Sequence, residues 1–583
     1  MGQHSIKSNT RSSSPSHVIA LDVQMSTTKI TNTEYRNRFE GATLIYRRYR
    51  WDRGTWTDQS YSTADKEALW GWIIAHAPYK ARKWIFVAGL EERFLAADGW
   101  KHLVEWGGQC KRLSLDDQRV IYEWSHDSKT IRFVDANNLF RGKVDGPGAT
   151  ITVKRVSLAS PAPDRQSEGI GAGNSCRHLL QTLHTWITFV RDEDLGNFAP
   201  TLAGQAWNAW RHRFYRHRIY HHGKPRVMSL EREAYRGGRN ESYYFGDLSG
   251  VPWTLLDIRS MYPSIMAKTP LPFNLISTGK ELTQTGLRKM LAQFGVIAHC
   301  VIRSDEPYYM VKGTQGCTFP TGTFSATLST PEIIHALDNK HFLGCRMWAA
   351  YEQAILFSDY VQFFWGARRD AEQRGDTLRA MICKLLMNSL YGRFGMRYQN
   401  WEPDGGGHMP GWDKWSEIDA QTGEISNYRA INGMIEKQMG WIEGNNILTA
   451  ICTHITAWGR DRLWQIMQRA GREHVAYCDT DSVIVDSDGL KNLEGEIENN
   501  TLGALRVQQQ SDVLIIGGEK NYRMGDTIRR SGIKAEAEEI RKDTFRQFIR
   551  MGVKSLMESQ GMGMCTRRRI ILRARKQTQT GRG

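Results

Sequence analysis

The stretch His474-Val475-Ala476-Tyr477-Cys478-Asp479-Thr480-Asp481-Ser482-Val483-Ile484-Val485 governs the reading of the whole chain. Apolar runs on either side of an acidic hexapeptide predict two short strands joined by a tight turn. Two carboxylates separated by one residue at a hairpin tip repel each other unless hard cations neutralise them. Mg2+ bound by few carboxylates keeps positions open for phosphate oxygens. A solvated acidic loop would have the same composition, so the turn needs partners elsewhere in the sequence.

Two such partners stand upstream. Trp253-Thr254-Leu255-Leu256 is an apolar run that ends in Asp257, followed by Ile258-Arg259-Ser260-Met261-Tyr262-Pro263-Ser264. A strand there delivers a carboxylate and the chain then turns; capping of a helix that starts near Pro263 is the structural alternative for Asp257. Lys384-Leu385-Leu386-Met387-Asn388-Ser389-Leu390-Tyr391-Gly392 lies in a helical stretch from about Thr377 that Gly392 can end. Lys384, Asn388 and Tyr391 stand at i, i+4 and i+7 and so share one helix face. An ammonium, an amide and a ring in a row suit a triphosphate, a sugar and a base, whereas a solvated face with an isolated Tyr is the structural alternative.

At 583 residues the chain exceeds one ordinary core, so several subdomains are expected. A net charge of +16 favours a polyanionic partner, nucleic acid first, with a basic soluble protein lacking such a partner as the alternative. The 20 Trp supply stacking surfaces for unpaired bases, although most such rings fill cores. Nine cysteines without a Cys-x-x-Cys pair suggest neither a zinc site nor a disulfide framework, and a reducing interior is expected. No apolar run approaches membrane-spanning length, so no membrane partner is expected. Residues 1–17 are polar, Ser-rich and basic, which predicts a disordered basic tail, with an organellar transit peptide as the alternative.

In this order, Asp257-x-x-Ser260-Met261-Tyr262-Pro263-Ser264, Lys384-x-x-x-Asn388-Ser389-x-Tyr391-Gly392 and Tyr477-x-Asp479-Thr480-Asp481-Ser482 resemble the palm and fingers motifs of family B DNA polymerases. Lys520-Asn521-Tyr522 resembles the family's Lys-x-Tyr element, and Tyr235-Arg236-Gly237-Gly238 its Tyr-x-Gly-Gly element. The compact length and the long intervals between motifs are most similar to the protein-primed branch of phages, viruses and linear plasmids.

The resemblance implies an α/β and α+β multidomain chain: a right-hand polymerase of palm, fingers and thumb, preceded by a ribonuclease H-like exonuclease-type domain. It implies DNA template-primer and dNTPs as partners, with a terminal or priming protein, and two Mg2+ ions as cofactor, Mn2+ being an alternative. Asp257 and Asp481 would bind the metals, with Asp479 the supporting catalytic acid. Lys384 would hold the triphosphate, helped by Arg368 or Arg369. Tyr262 would pack against the deoxyribose, leaving no room for a 2′-hydroxyl, while Asn388 and Tyr391 line the nascent base pair. Lys520 and Tyr522, two apart on an expected strand, would grip the primer backbone, and Tyr235, Gly237 and Gly238 would contact DNA. Host cytoplasm is expected for a phage or bacterial plasmid, nucleus or mitochondrion for a eukaryotic host.

On this reading the chain divides into the tail 1–17; an inactive exonuclease-like domain 18–205; a linker region 206–252; palm 253–304; an insertion 305–359 for DNA or a priming protein; fingers 360–395; a second insertion 396–448; palm 449–534; and thumb with basic tail 535–583. A Pro/Ser/Gly-rich stretch at 159–173 reads as an exposed loop, and the turn-rich 402–412 as a surface insertion. The exonuclease-like part departs from the family where its chemistry resides. Asp22-Val23-Gln24 stands where Asp-x-Glu is expected, Arg93 falls at an acid position, and Leu179 stands opposite an Asp. Neither arginine nor leucine ligates Mg2+, so loss of 3′–5′ proofreading is expected, unless Glu91, Glu92 or Asp98 restores an acid. Rival readings are a repair, bypass or primer-independent polymerase of a mobile element, and a catalytically silent nucleic-acid-binding protein.

Overall fold

The computed structural model describes residues 3–29, 34–112, 121–139, 172–313, 316–418, 425–530, 532–533, 537–541, 544–550 and 565–573. The 159–173 stretch falls almost wholly outside the described residues.

The acidic turn joins the strands Val475–Asp479 and Ser482–Val485, as its flanking apolar runs predict. They form the middle of a five-stranded antiparallel sheet whose order is Asn240–Ser242, Val475–Asp479, Ser482–Val485, Trp253–Ile258 and Leu505–Ser511. Alternation along Trp253–Ile258 sends Trp253 and Leu255 to one core and Leu256 and Ile258 to another. The first face is covered by Leu514, Ile516 and Met524 of a small second sheet, and the other by Leu463, Trp464 and Met467 of the helix Thr449–Ala470. Each fully buried apolar side chain of this sheet is worth about 1.5–3 kcal/mol, so both cores hold the sheet rigid.

A second antiparallel sheet runs in the order Leu271–Gly279, Phe342–Ala354, Gly295–Ser304, Gly322–Ser329. The boundary expected at 305 therefore falls inside one sheet: Gly322–Ser329 and Phe342–Ala354 both pair with Gly295–Ser304, so their backbone hydrogen bonds tie them to it. The segment expected to form the fingers folds as the helices Ser358–Gln373 and Thr377–Ser389, separated by a turn with Gly375 at φ 72°. Asp376 caps the second helix by accepting a hydrogen bond from the Arg379 N–H at 3.0 Å.

Three expectations change. The turn-rich 402–412 is part of a long ribbon, Arg397–Ile418 paired with Ile425–Glu443, and its glycines fall at a register shift between Pro403 and His408. Glycines there accommodate a bulge within the ladder. Residues 3–16 are no disordered tail: His4–Ser5 pairs with Tyr220–His221, and Ile6 is buried. Apolar burial and backbone pairing outweigh the polar composition of that segment. The C-terminal run containing Arg567, Arg568, Arg569 and Arg573 is the strand Cys565–Arg573, which pairs with Thr544–Arg550 and, through residues 565–568, with Glu34–Arg50. The end of the described chain thus extends the N-terminal sheet by edge pairing; Arg575 and Lys576 lie outside the described residues.

That N-terminal sheet has the ribonuclease H-like order. Thr55–Thr63, Glu34–Arg50 and His17–Lys29 run antiparallel in turn, and Arg82–Val87 and Lys129–Asp135 then follow parallel to His17–Lys29. Among the described residues no helix is long and apolar enough to cross a membrane.

One buried charge in this sheet has a measurable consequence. Lys83 is fully buried, its Nζ has no hydrogen-bond partner, and it sits over the rings of Tyr46 at 4.4 Å and Trp72 at 5.7 Å. Burial pushes its ammonium down to about 7 from 10.5. Between those pH values the unfolded chain binds a proton that the folded chain does not, so folding stability rises with pH across that window. Lys83→Met is expected to raise the thermal midpoint at pH 7 and to flatten its rise toward pH 10, read by calorimetry of wild type and variant side by side.

Candidate active site

The turn between the two central strands is built around backbone strain. Thr480 takes φ 60°, a conformation unfavourable for a β-branched residue by about 1–2 kcal/mol. Its N–H donates to the Arg239 carbonyl at 2.6 Å, and the Asp481 N–H donates to the Asp479 carbonyl at 2.6 Å. Gly238 lies against this bend, where a Cβ would stand 2.7 Å from Thr480 Cγ2 and 2.9 Å from Thr480 Cα. The Tyr-x-Gly-Gly element thus shapes the acidic turn through its second glycine.

Register brings the third carboxylate alongside. Asp257 stands opposite Ser482, and the Ile258 N–H donates to the Asp481 carbonyl at 2.7 Å. Burial, with the charges of Asp257 and Asp479, pushes the Asp481 carboxyl up to about 6. Each neighbouring carboxylate is met by a cation: Arg506 Nε and Nη2 both lie 2.9 Å from Asp257 Oδ2, and Lys520 Nζ lies 3.5 Å from Asp479 Oδ1. Among the described residues no group of three or more His, Cys, Asp and Glu side chains is preassembled as a metal site. The chemistry nevertheless fits a divalent ion: three hard oxygen donors gather on adjacent strands, and their mutual repulsion is relieved by positive charge.

The fingers face this cluster. Lys384 and Asn388 are exposed on the second fingers helix, while Tyr391 lies just beyond it in the turn Tyr391–Gly395. Desolvation, followed by the charges of Arg368 and Arg506, pulls the Lys384 ammonium below its ordinary value, against the opposing pull of Asp257 and Asp481. Of the two candidate arginines, Arg368 belongs to the site. It is buried, its Nε lies 2.8 Å from Glu372 Oε1, and its Nη1 donates to Ser260 Oγ at 3.4 Å. Arg369 is exposed, and its charge is felt at Arg259. Glu372 also receives Arg259 at 3.0 Å, so one carboxylate ties the fingers to the turn after Asp257.

Tyr262 follows Ser260, whose φ of 53° starts the helix Met261–Lys268. Its ring is 5.1 Å from that of Tyr391, and a Cβ on Gly459 would lie 2.8 Å from its Cε1. The Tyr262 ring therefore rests on the backbone of the central palm helix and has no room to retreat. Burial pushes its phenol up, with Tyr391 adding to the shift.

The remaining predicted residues divide. Tyr235 is half-buried behind Tyr391 rather than at an open surface: a Cβ on Gly395 would stand 3.0 Å from its Cε1, and its phenol is raised by Cys452, burial and Tyr391. Gly237 is exposed and its carbonyl accepts from Arg460 at 2.8 Å. Lys520 is not on a strand; it occupies a turn at φ 51°, and its N–H donates to Tyr477 Oη at 3.1 Å. Tyr522, on Asn521–Met524, packs its ring 5.1 Å from Tyr477. Both therefore abut the acidic strand. Motif reasoning missed Arg506, Glu372 and the buried pair Arg460–Glu332, 2.8 Å apart, which anchors the segment before Gly238. Breaking such a buried pair costs about 3–5 kcal/mol.

In the N-terminal sheet, Arg93 Nη2 lies 3.2 Å from Asp22 Oδ1, and its Nε donates to the Val23 carbonyl at 3.2 Å. Burial raises the Asp22 carboxyl, with Arg93 opposing. Gln24 is exposed, Leu179 is packed in the core, and Asp98 is paired with Lys66 at 2.6 Å. The side chains of Glu91 and Glu92 lie outside the described residues.

Residues 178–422 match the family described as DNA polymerase type B, organellar and viral. A probable DNA polymerase of Neurospora intermedia is 22% identical over 340 residues, covering 55% of this chain and 34% of the relative. A DNA-directed DNA polymerase of Enterobacteria phage PRD1 is 27% identical over 177 residues, covering 30% of this chain and 29% of the relative. The chain thus spans about a third or less of these curated relatives. Among solved structures, Phi29 DNA polymerase complexed with primer-template DNA and incoming nucleotide substrates matches at a TM-score of 0.63 and 13% identity, covering 96% of this chain and 100% of that one. The binary complex with primer-template DNA matches at 0.59, also at 13% identity, covering 96% of this chain and 99% of that one. The fold is therefore that of an exonuclease-type domain joined to palm, fingers and thumb, and residues 178–422 carry the match to the organellar and viral type B DNA polymerase family.

Proposed function

We propose that this protein is a DNA-directed DNA polymerase that replicates a viral, phage or plasmid genome, initiates on a priming protein and does not proofread. The observation that carries the polymerase reading is the meeting of Asp257, Asp479 and Asp481 with Lys384 and the Tyr262–Tyr391 ring pair around one palm. Phi29 DNA polymerase, whose fold this chain shares, is seen in complex with primer-template DNA and incoming nucleotides, and the net charge of +16 suits the same polyanions. Protein priming is supported by the Tyr235-x-Gly237-Gly238 element.

Asp257 and Asp481 would hold two Mg2+, Mn2+ substituting, with Asp479 supporting them. Bound there, such ions lower the pKa of the primer 3′-hydroxyl and neutralise charge on the leaving pyrophosphate. The reaction joins the primer 3′-oxygen to the α-phosphorus and breaks that phosphorus's bond to pyrophosphate in line. Lys384 and Arg368 would grip the triphosphate, Lys384 as a point charge and Arg368 as a planar fork oriented by Glu372. Tyr262, backed by Gly459, would close the space beside C2′ of the sugar. Asn388 and Tyr391 would border the base pair, and Lys520 and Tyr522 would hold the primer strand beside the acidic turn.

Loss of editing is supported by the Asp22–Arg93 pair, which puts a guanidinium against an acid where a metal ligand set would need carboxylates. In primer extension with Mg2+ and dNTPs, Asp481→Asn is expected to slow incorporation by about 10³-fold or more. Tight DNA binding by wild type with no extension would favour a silent binding protein instead. A 3′-mismatched primer is expected to remain untrimmed over hours, and shortening of that primer would contradict the editing claim. Tyr262→Ala should lower the preference for dNTP over rNTP by about 10- to 100-fold, measured as the ratio of kcat/KM values.

A further inference from the structure

Arg506 stands on the palm strand Leu505–Ser511, directly opposite Asp257 in register. Its Nε and Nη2 are both 2.9 Å from the same oxygen, Asp257 Oδ2. The Arg506 side chain is 35% exposed and Asp257 19%, so the guanidinium can leave without abandoning a deeply buried charge. The Arg506 guanidinium, like that of Arg368, acts on the Lys384 ammonium. Lys384 thus feels two further cations, Arg368 from the helix Ser358–Gln373 and Arg506 from the palm edge, together with the carboxylates of Asp257 and Asp481. With Asp257 neutralised by another cation, Arg506 would lose its counterion, while Arg368 keeps only Glu372, which it shares with Arg259. A polyphosphate supplies the missing counterion.

We propose that Arg506 is a charge-exchange residue: it neutralises Asp257 while the palm is empty, and binds the incoming triphosphate once a divalent cation takes that carboxylate. Metal and nucleotide are thereby coupled. A cation entering alone must displace the guanidinium from Asp257, whereas a cation entering with a triphosphate gives that guanidinium a new anion. The palm would then disfavour metal binding before substrate arrives. This inference rests on the assignment of Asp257 as a metal ligand.

The test uses the full-length protein and Mn2+ alone, with free ion followed by electron paramagnetic resonance, in wild type, Arg506→Gln, Arg506→Lys and Asp257→Asn. Without DNA or nucleotide, Arg506→Gln is expected to bind Mn2+ about five- to tenfold more tightly than wild type, because the competing ion pair is gone. Arg506→Lys, which keeps the charge but not the fork, should fall between them. In primer extension the same Gln variant should raise the KM for dNTP about tenfold, with a smaller change in kcat, and Lys should restore part of the loss. Unchanged or weaker Mn2+ binding by Arg506→Gln would overturn the proposal even if extension is impaired, because a merely structural arginine would not compete with the metal. If Asp257→Asn leaves Mn2+ binding as it is in wild type, the metal assignment fails first, and the two failures are told apart.

Discussion

The antiparallel pairing that sets Asp257 against Ser482 is the constraint on which the rest of the site depends. It brings together carboxylates from segments far apart in the chain, and burial, reinforced by the charges of Asp257 and Asp479, raises Asp481 to about 6. A one-residue slip would turn Asp257 to the opposite face and bring Leu256 or Ile258 toward the acidic turn. That slip is opposed by the cores on both faces, since Leu256, Ile258, Trp253 and Leu255 would all exchange environments. The electrostatic strain of the site is thus sustained by apolar packing beneath it.

The same arrangement makes the surrounding cations functional rather than incidental. Arg506 and Lys520 offset carboxylates that would otherwise repel, and Glu372 holds Arg368 and Arg259 together at the junction of palm and fingers. Beneath the turn, Arg460 and Glu332 form an ion pair almost without solvent, and Arg460 reaches the carbonyls of Arg236 and Gly237. Gly238 can then lie under Thr480 at a distance no side chain would tolerate. Strain at Thr480, absence of a side chain at Gly238 and the buried pair form one device for aiming Asp479 and Asp481.

Local signals carried the acidic turn, the strand ending at Asp257 and the helix bearing Lys384 and Asn388, because each is written in a short run whose periodicity is its own. Arg506 was not legible. It lies 249 residues from Asp257, and only sheet register reveals that the two are neighbours. Lys520 was misplaced because a positive φ can interrupt a strand-like pattern without a glycine at that position. Residues 3–16 and the C-terminal strand were misread as tails because their partners, Tyr220–His221 and Glu34–Arg50, are remote and composition does not record pairing. Arg368 and Arg369 are adjacent and alike in sequence; burial against Ser260 and Glu372 separates them.

The central claim, that Asp257 and Asp481 form one metal-dependent catalytic centre, is tested most directly by anomalous diffraction from crystals holding Mn2+, a primer-template ending in a dideoxynucleotide, and the next dNTP. The account predicts anomalous density bonded to both carboxylates, with Lys384 and Arg506 on the triphosphate and Arg506 no longer on Asp257. An Mn2+ bound elsewhere, or a nucleotide seated in the palm while Asp257 remains clasped by Arg506 and free of metal, would contradict it.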